Sequence, residues 1–141
     1  MGNNWFTWAL LSAVAAALTA VLTKIGATGV SANMATAVRT LVVLVFAWSL
    51  VFVGGDAAEF AKLSRRNLVF LALSGVATGL SWIAYVRALQ LGEASKVASI
   101  DKLSLLFVLV FSVVVLREPL STKTLIGAGL ICCGGMVLAL K

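Results

Sequence analysis

The chain has 141 residues, of which 62% are hydrophobic and 11% charged, and its net charge is +6. Soluble domains run at about 45–50% apolar and about 25% charged residues, so these proportions exclude an ordinary soluble domain and point to a membrane protein built as one compact unit. The cations are scattered between apolar runs and form no basic stripe, so no nucleic-acid partner is expected; as flanks of membrane spans they have a direct use.

A spanning helix needs about 20 mostly apolar residues, and five segments qualify. The first covers 5–23. Its flank, "MGNNWFTWALLSAVAAALTAVLTK", lacks a basic leading region and reads as a retained span rather than a signal peptide. Trp5 and Trp8 suit an aromatic belt at the water boundary, while Ser12, Ala16, Thr19 and Thr23 share one helical face. Gly26 and Gly29 loosen the chain that follows. The second span, 33–53, carries Thr36, Arg39 and Thr40. The connection "GGDAAEFAKLSRRN", 54–67, is the longest polar one, and its composition allows a short interfacial helix.

The third span covers 68–90. Ser74, Thr78, Ser81 and Tyr85 are spaced by 4, 3 and 4 and lie on one face. Gly75 and Gly79 form a G-x-x-x-G pattern that permits close helix approach. Trp82 and Tyr85 sit deeper than the belt tryptophans; they suit a cavity wall or core packing. "LGEASK", 91–96, reads as a tight turn. The fourth span, 97–116, aligns Asp101, Ser104, Val108 and Ser112 at spacings of 3, 4 and 4. "REPLSTK", 117–123, holds the only proline, Pro119, with Ser121 or Thr122 as helix N-cap. The fifth span, 123–140, has glycine at 127, 129, 134 and 135, and Cys132 and Cys133 read as small packing residues. None of the runs alternates with a two-residue period, which argues against a barrel. The expected fold is an all-α membrane protein, a bundle of five transmembrane helices in a single domain, 1–141.

Five spans place the termini on opposite sides. Lys62, Arg65, Arg66, Arg117 and Lys123 share the side of the N-terminus. Lys24, Lys96 and Lys141 flank the other, where Arg39, Arg87 and Lys102 lie within spans. Five loop cations against three give a slight preference for an inside N-terminus. So weak a bias permits insertion in either orientation.

Polar stripes on four helices are best placed against one another around a partly hydrated cavity; the alternative for each Ser or Thr is a bond to its own i−4 carbonyl. Lysines and arginines near span ends can snorkel to the headgroups. Asp101 cannot, because its side chain is short, and of the five acids it alone lies within a span. Adjacent helical residues point about 100° apart, so Asp101 is expected to face inward, toward Arg39 or Arg87, and Lys102 outward. The candidate substrate contacts are therefore Asp101, Arg39, Arg87, Trp82, Tyr85, Ser81, Thr78, Thr19 and Ser104. The glycine-rich fifth helix, with Gly127, Gly129, Gly134 and Gly135, is the candidate packing or dimerisation element. No nucleophile–base pair, metal cluster or phosphate loop is visible, so no enzyme, metal or cofactor is expected.

The stretch "ALQLGEASKVASIDKLSLLFVLVFSVVVLREPLSTKTLIGAGLICCGG", 88–135, resembles the EamA domain of the drug/metabolite transporter superfamily. It carries the "GEAS" turn, an Ile and Leu-Ser in the next helix, a Glu followed by Leu-Ser, and "IGAGLI" ahead of "GG". "AVLTKIG" and "ATAVRTLVV" extend the resemblance through the first half. Members often carry prolines where Ser99 and Leu105 stand here, and a glycine where Arg117 stands. The resemblance implies one repeat of a transporter whose typical members have ten spans in two inverted five-helix repeats, with the substrate site between them. Two copies should then pair. The inverted-repeat logic favours an antiparallel homodimer, with a parallel dimer or a partner half-protein as the other arrangements. The fifth helix is also similar to the dimerising last helix of small multidrug resistance proteins.

The leading expectation is thus a secondary transporter or exporter of a small anionic or zwitterionic metabolite, working by alternating access in a bacterial-type inner membrane. Membrane lipids and a small-molecule substrate are the other expected partners. One alternative is a multidrug cation exporter, against which the absence of a carboxylate in the first span counts. Another is a non-transporting assembly subunit with a dry interior.

Overall fold

In hydrocarbon every backbone N–H and C=O must find a partner within the protein, and a helix supplies one along its length. The computed structural model, which describes residues 4–140, follows this rule: 86% is helical, with no strand among the described residues. Lys141, one of the flanking cations, lies outside the described residues. Helix α1 covers Trp5–Gly26, α2 Ala32–Gly54 and α3 Arg65–Leu91. Helices α4 (Ala94–Asp101) and α5 (Ser104–Phe111), continued by a π-helical turn at Ser112–Leu116, make the fourth span. Helix α6 covers Thr122–Ala139. All five spans are long and apolar enough to cross a membrane, and the protein is a multi-pass membrane protein.

Local chemistry sets the boundaries. Ser31 caps α2 by accepting from the Met34 N–H at 3.2 Å, and Ser121 caps α6 by accepting from the Thr124 N–H at 3.1 Å. Gly55, at φ 78°, ends α2 in the left-handed conformation that glycine adopts without strain. The polar connection after it forms a 3-10 helix, Asp56–Lys62. The turn at 91–96 is shorter than expected: α4 already begins at Ala94, and Lys96 pairs with Glu93 at 3.3 Å across its first turn.

The fourth span departs most from expectation, because its helix is interrupted. Lys102 N–H donates to the Ser99 carbonyl at 3.3 Å, Leu103 to Ile100 at 2.9 Å and Leu105 to Lys102 at 3.0 Å. These are i→i−3 bonds, so the chain tightens into a 3-10 turn between Asp101 and Ser104. No proline is needed, since Lys102 and Leu103 stay in the right-handed region. At the other end, Arg117 takes φ 56° and the Glu118 N–H reaches back to the Ser112 carbonyl at 3.1 Å.

The chain forms two compact units, Thr23–Gln90 and a second one made of Met1–Leu22 with Leu91–Lys141. In the first, Val86 and Leu89 are 0% exposed and Ala27 2%, so its apolar core lies at the end where α1 finishes and α3 finishes. Lys24 Nζ donates to the Leu89 carbonyl, and Gln90 Nε2 donates to the carbonyls of Ala27 at 3.0 Å and Val30 at 2.6 Å. Lys24 therefore serves the C-terminal carbonyls of α3, where the macrodipole favours a cation. Toward the opposite end, Phe60 of the 3-10 helix stands 6.1 Å from Trp48 of α2.

In the second unit α6 runs beside α4, with Gly135 against the Ser99 carbonyl. Ala20, Ala128, Cys132, Gly135 and Ser112 are buried there. Most large apolar side chains of every span are exposed in the single chain, for example Leu18, Phe46, Leu71, Phe107 and Leu130. Such a surface needs lipid or another protein against it.

Candidate functional site

Within the unit Thr23–Gln90, α2 and α3 bring Arg39 and Trp82 together, with the guanidinium carbon 5.0 Å from the indole centroid. Arg39 follows Ala32, the first residue of α2, by seven positions, which is about 10 Å of axis at about 1.5 Å per residue. Trp82 precedes Leu91, the last residue of α3, by nine, or about 14 Å. The two helices therefore run antiparallel and present these residues at similar depth. A cation over an indole face is stabilised by the ring quadrupole, by about 2 kcal/mol or more where water is excluded. That attraction favours an Arg39 side chain folded onto α3 over one extended away from it.

Side chains on a helix lean toward its N-terminus. Arg39 accordingly leans back over the turn that carries Thr36, three residues earlier on the same face. Thr36 is only 6% exposed. Its hydroxyl and the Nη1 of Arg39 are both shielded from solvent, and neither has a hydrogen-bond partner. Neighbouring Thr40 is satisfied, because its hydroxyl donates to the Thr36 carbonyl at 2.8 Å. Tyr85, one turn beyond Trp82 on α3, is half-buried.

The other candidates are placed differently. Thr19, Thr78, Ser81, Arg87, Asp101 and Ser104 are exposed in the single chain. Thr19 and Thr78 bond the carbonyls of Ala15 and Ser74 at 2.8 and 2.9 Å, the i−4 arrangement in which a hydroxyl tolerates a bilayer unaided. Asp101 closes α4 at the 3-10 turn, two turns past the helix start. It belongs to the other unit from Arg39 and Arg87. Among the glycines of α6, a Cβ on Gly127, Gly129 or Gly134 would meet nothing within 4 Å, whereas Gly135 is already occupied by Ser99. The space around Gly75 and Gly79 is likewise open.

Thr36 and Gln90 were not among the sequence-derived candidates. The signal for Thr36 was its i+3 relation to Arg39. Gln90 had only its position, a lone amide at the end of an apolar helix.

Five apolar spans, with Arg39 set over Trp82 inside one unit, define a polytopic membrane protein. The chain belongs to the EamA-like transporter family, which it matches over residues 3–140. It is 44% identical over 139 residues to a Sinorhizobium sp protein named "Uncharacterized transporter in cobO 3'region", covering 99% of each chain. No solved structure matches it significantly.

Proposed function

We propose that the chain is a secondary transporter of a small anionic or zwitterionic metabolite, working by alternating access as a homodimer in a bacterial inner membrane. The observation that carries this reading is Arg39, held over Trp82 at 5.0 Å about a third of the way along its helix. A cation kept inside a span has a default role in binding or transport. Membership of a transporter family gives the class, and the basic side chain gives the sign of the solute. Asp101, the one acid within a span, is the proposed coupling residue. The 3-10 turn that follows it is a place where the helix can flex. The homodimer reading is supported by the open glycines 127, 129 and 134 of α6 and by the long apolar surfaces left uncovered.

The test is flux into proteoliposomes loaded with the purified full chain, screened across amino acids, organic acids, amines and quaternary ammonium compounds. Saturable flux of acids or zwitterions is expected. Flux of quaternary ammonium compounds alone would overturn the charge assignment. Crosslinking in native membranes, with cysteine introduced at Gly127 or Gly134, tests pairing through α6.

A further inference from the structure

Two shielded donors on one turn of α2, Thr36 Oγ1 and Arg39 Nη1, lack any acceptor. Buried polar groups are almost always paired, and a buried orphan requires an explanation. Two orphans three residues apart on one face require a shared one. Thr36 could have bonded the carbonyl four residues back, as Thr19, Thr40 and Thr78 do, but its hydroxyl makes no such bond.

The missing partner should also carry charge. The only acids in the unit Thr23–Gln90 are Asp56 and Glu59. Both lie in the 3-10 helix beyond the far end of α2, whereas Arg39 is near its start. The unit therefore holds a cation inside a span without a counter-charge of its own. An acceptor with two oxygens and a negative charge meets both orphans at once, one oxygen to the guanidinium and the other to the hydroxyl.

We infer that Thr36, Arg39 and Trp82 form a carboxylate-binding subsite, in which the indole orients the guanidinium and Thr36 donates the second hydrogen bond. This rests on the reading of the chain as a carrier of anionic or zwitterionic solutes, and narrows it to solutes bearing a carboxylate. The donors are closed off in the present conformation, so entry requires the Arg39 side chain to shift on Trp82. Trp82 then reports occupancy directly. Thr36 is the specificity-determining member. An arginine alone binds any anion, whereas the added neutral donor favours a planar two-oxygen group over a water or a halide.

The experiment uses the full chain with Trp5, Trp8 and Trp48 changed to Phe, which leaves Trp82 as the sole tryptophan. Its emission is titrated with acetate, succinate and L-phenylalanine, with the matching amides, and with inorganic phosphate. A saturable change is expected with one or more acids, at least about tenfold weaker with the corresponding amide, since a hydrogen-bonded charge is lost. Thr36→Val should weaken the acid by about three- to tenfold and Thr36→Ser should restore it; Arg39→Lys, without the planar fork, should weaken it by more than about tenfold. Helicity and monodispersity in detergent are checked for each variant, and the serine variant controls for misfolding. Equal response to acid and amide, response to phosphate alone, or indifference to Thr36→Val would each overturn the subsite. So would a Trp82 emission that none of the acids shifts. Flux measured on the same preparations separates the two claims. Acid binding without flux overturns transport and leaves the subsite standing. Flux indifferent to acid or amide overturns the subsite and leaves transport standing.

Discussion

Gly135 of α6 lies so close to Ser99 of α4 that a Cβ on it would stand 2.8 Å from the Ser99 carbonyl oxygen. The obstacle is backbone, which cannot rotate away as a side-chain tip can. Gly135→Ala should therefore push the two helices apart, at the cost of about 1–3 kcal/mol typical of overpacking, and lower the thermal midpoint in detergent. Alanine at Gly127, Gly129 or Gly134 meets open space in the single chain. Those variants should keep or slightly raise the midpoint, because alanine is the better helix former. If α6 is the pairing helix, they should nonetheless weaken crosslinking between copies. The comparison separates the glycine that packs inside a protomer from those available to a second copy.

Arg117 occupies the left-handed region, with φ 56° and ψ 33°. A non-glycine residue there carries about 1–2 kcal/mol of strain, and glycine gives back about 0.5–1 kcal/mol through its freer unfolded state. Arg117→Gly should thus stabilise the chain by a few tenths to about 1 kcal/mol, and Arg117→Val should destabilise it by more, since β-branched residues tolerate this conformation worst. Thermal unfolding of the three proteins side by side checks the order Gly, Arg, Val.

Gln90 ties the end of α3 to the chain after α1 through bonds to the Ala27 and Val30 carbonyls at 3.0 and 2.6 Å. Gln90→Leu keeps the bulk and removes the donors. It should cost about 0.5–1.5 kcal/mol, the range for a lost hydrogen bond, and speed hydrogen exchange in the turn around Thr28–Val30. Gln90→Glu should be at least as harmful, because it sets a carboxylate against two carbonyl oxygens.

The spans were legible because apolar runs of this length have one stable form in lipid. The termini of α2 and α6 were legible to within about one residue, and the cap of α6 was narrowed to Ser121 or Thr122 because capping chemistry acts locally; the caps of α2, Ser31 and Gly55, were not read from sequence. The interruption after Asp101 was not legible. It arises without proline or glycine, from a change in backbone bonding that leaves no mark on composition. Residue type gave the placement of Arg39 only in part. Snorkelling and inward pairing both fit a basic residue about 10 Å inside a helix, and only the approach of Trp82 from α3 decides between them. Thr36 was placed on the polar stripe of the second span but not among the substrate contacts for a related reason: a threonine bonded to its own backbone and a threonine left without a partner look alike in sequence.

Asp101 closes α4 at the 3-10 turn, where successive i→i−3 bonds replace the helical ladder. A carboxylate at such a break sets a charge where the helix can flex, which is the basis of the coupling role proposed for it. Asp101→Asn holds the residue neutral at every pH and keeps its shape. Accumulation driven by a pH gradient should then be lost, while exchange of substrate across the membrane at equal pH continues. Counterflow and gradient-driven uptake, measured on the same liposomes, distinguish these. A variant that matches the wild type in both assays would remove Asp101 from the coupling step, and would leave Arg39 and Trp82 as a binding device driven by some other gradient.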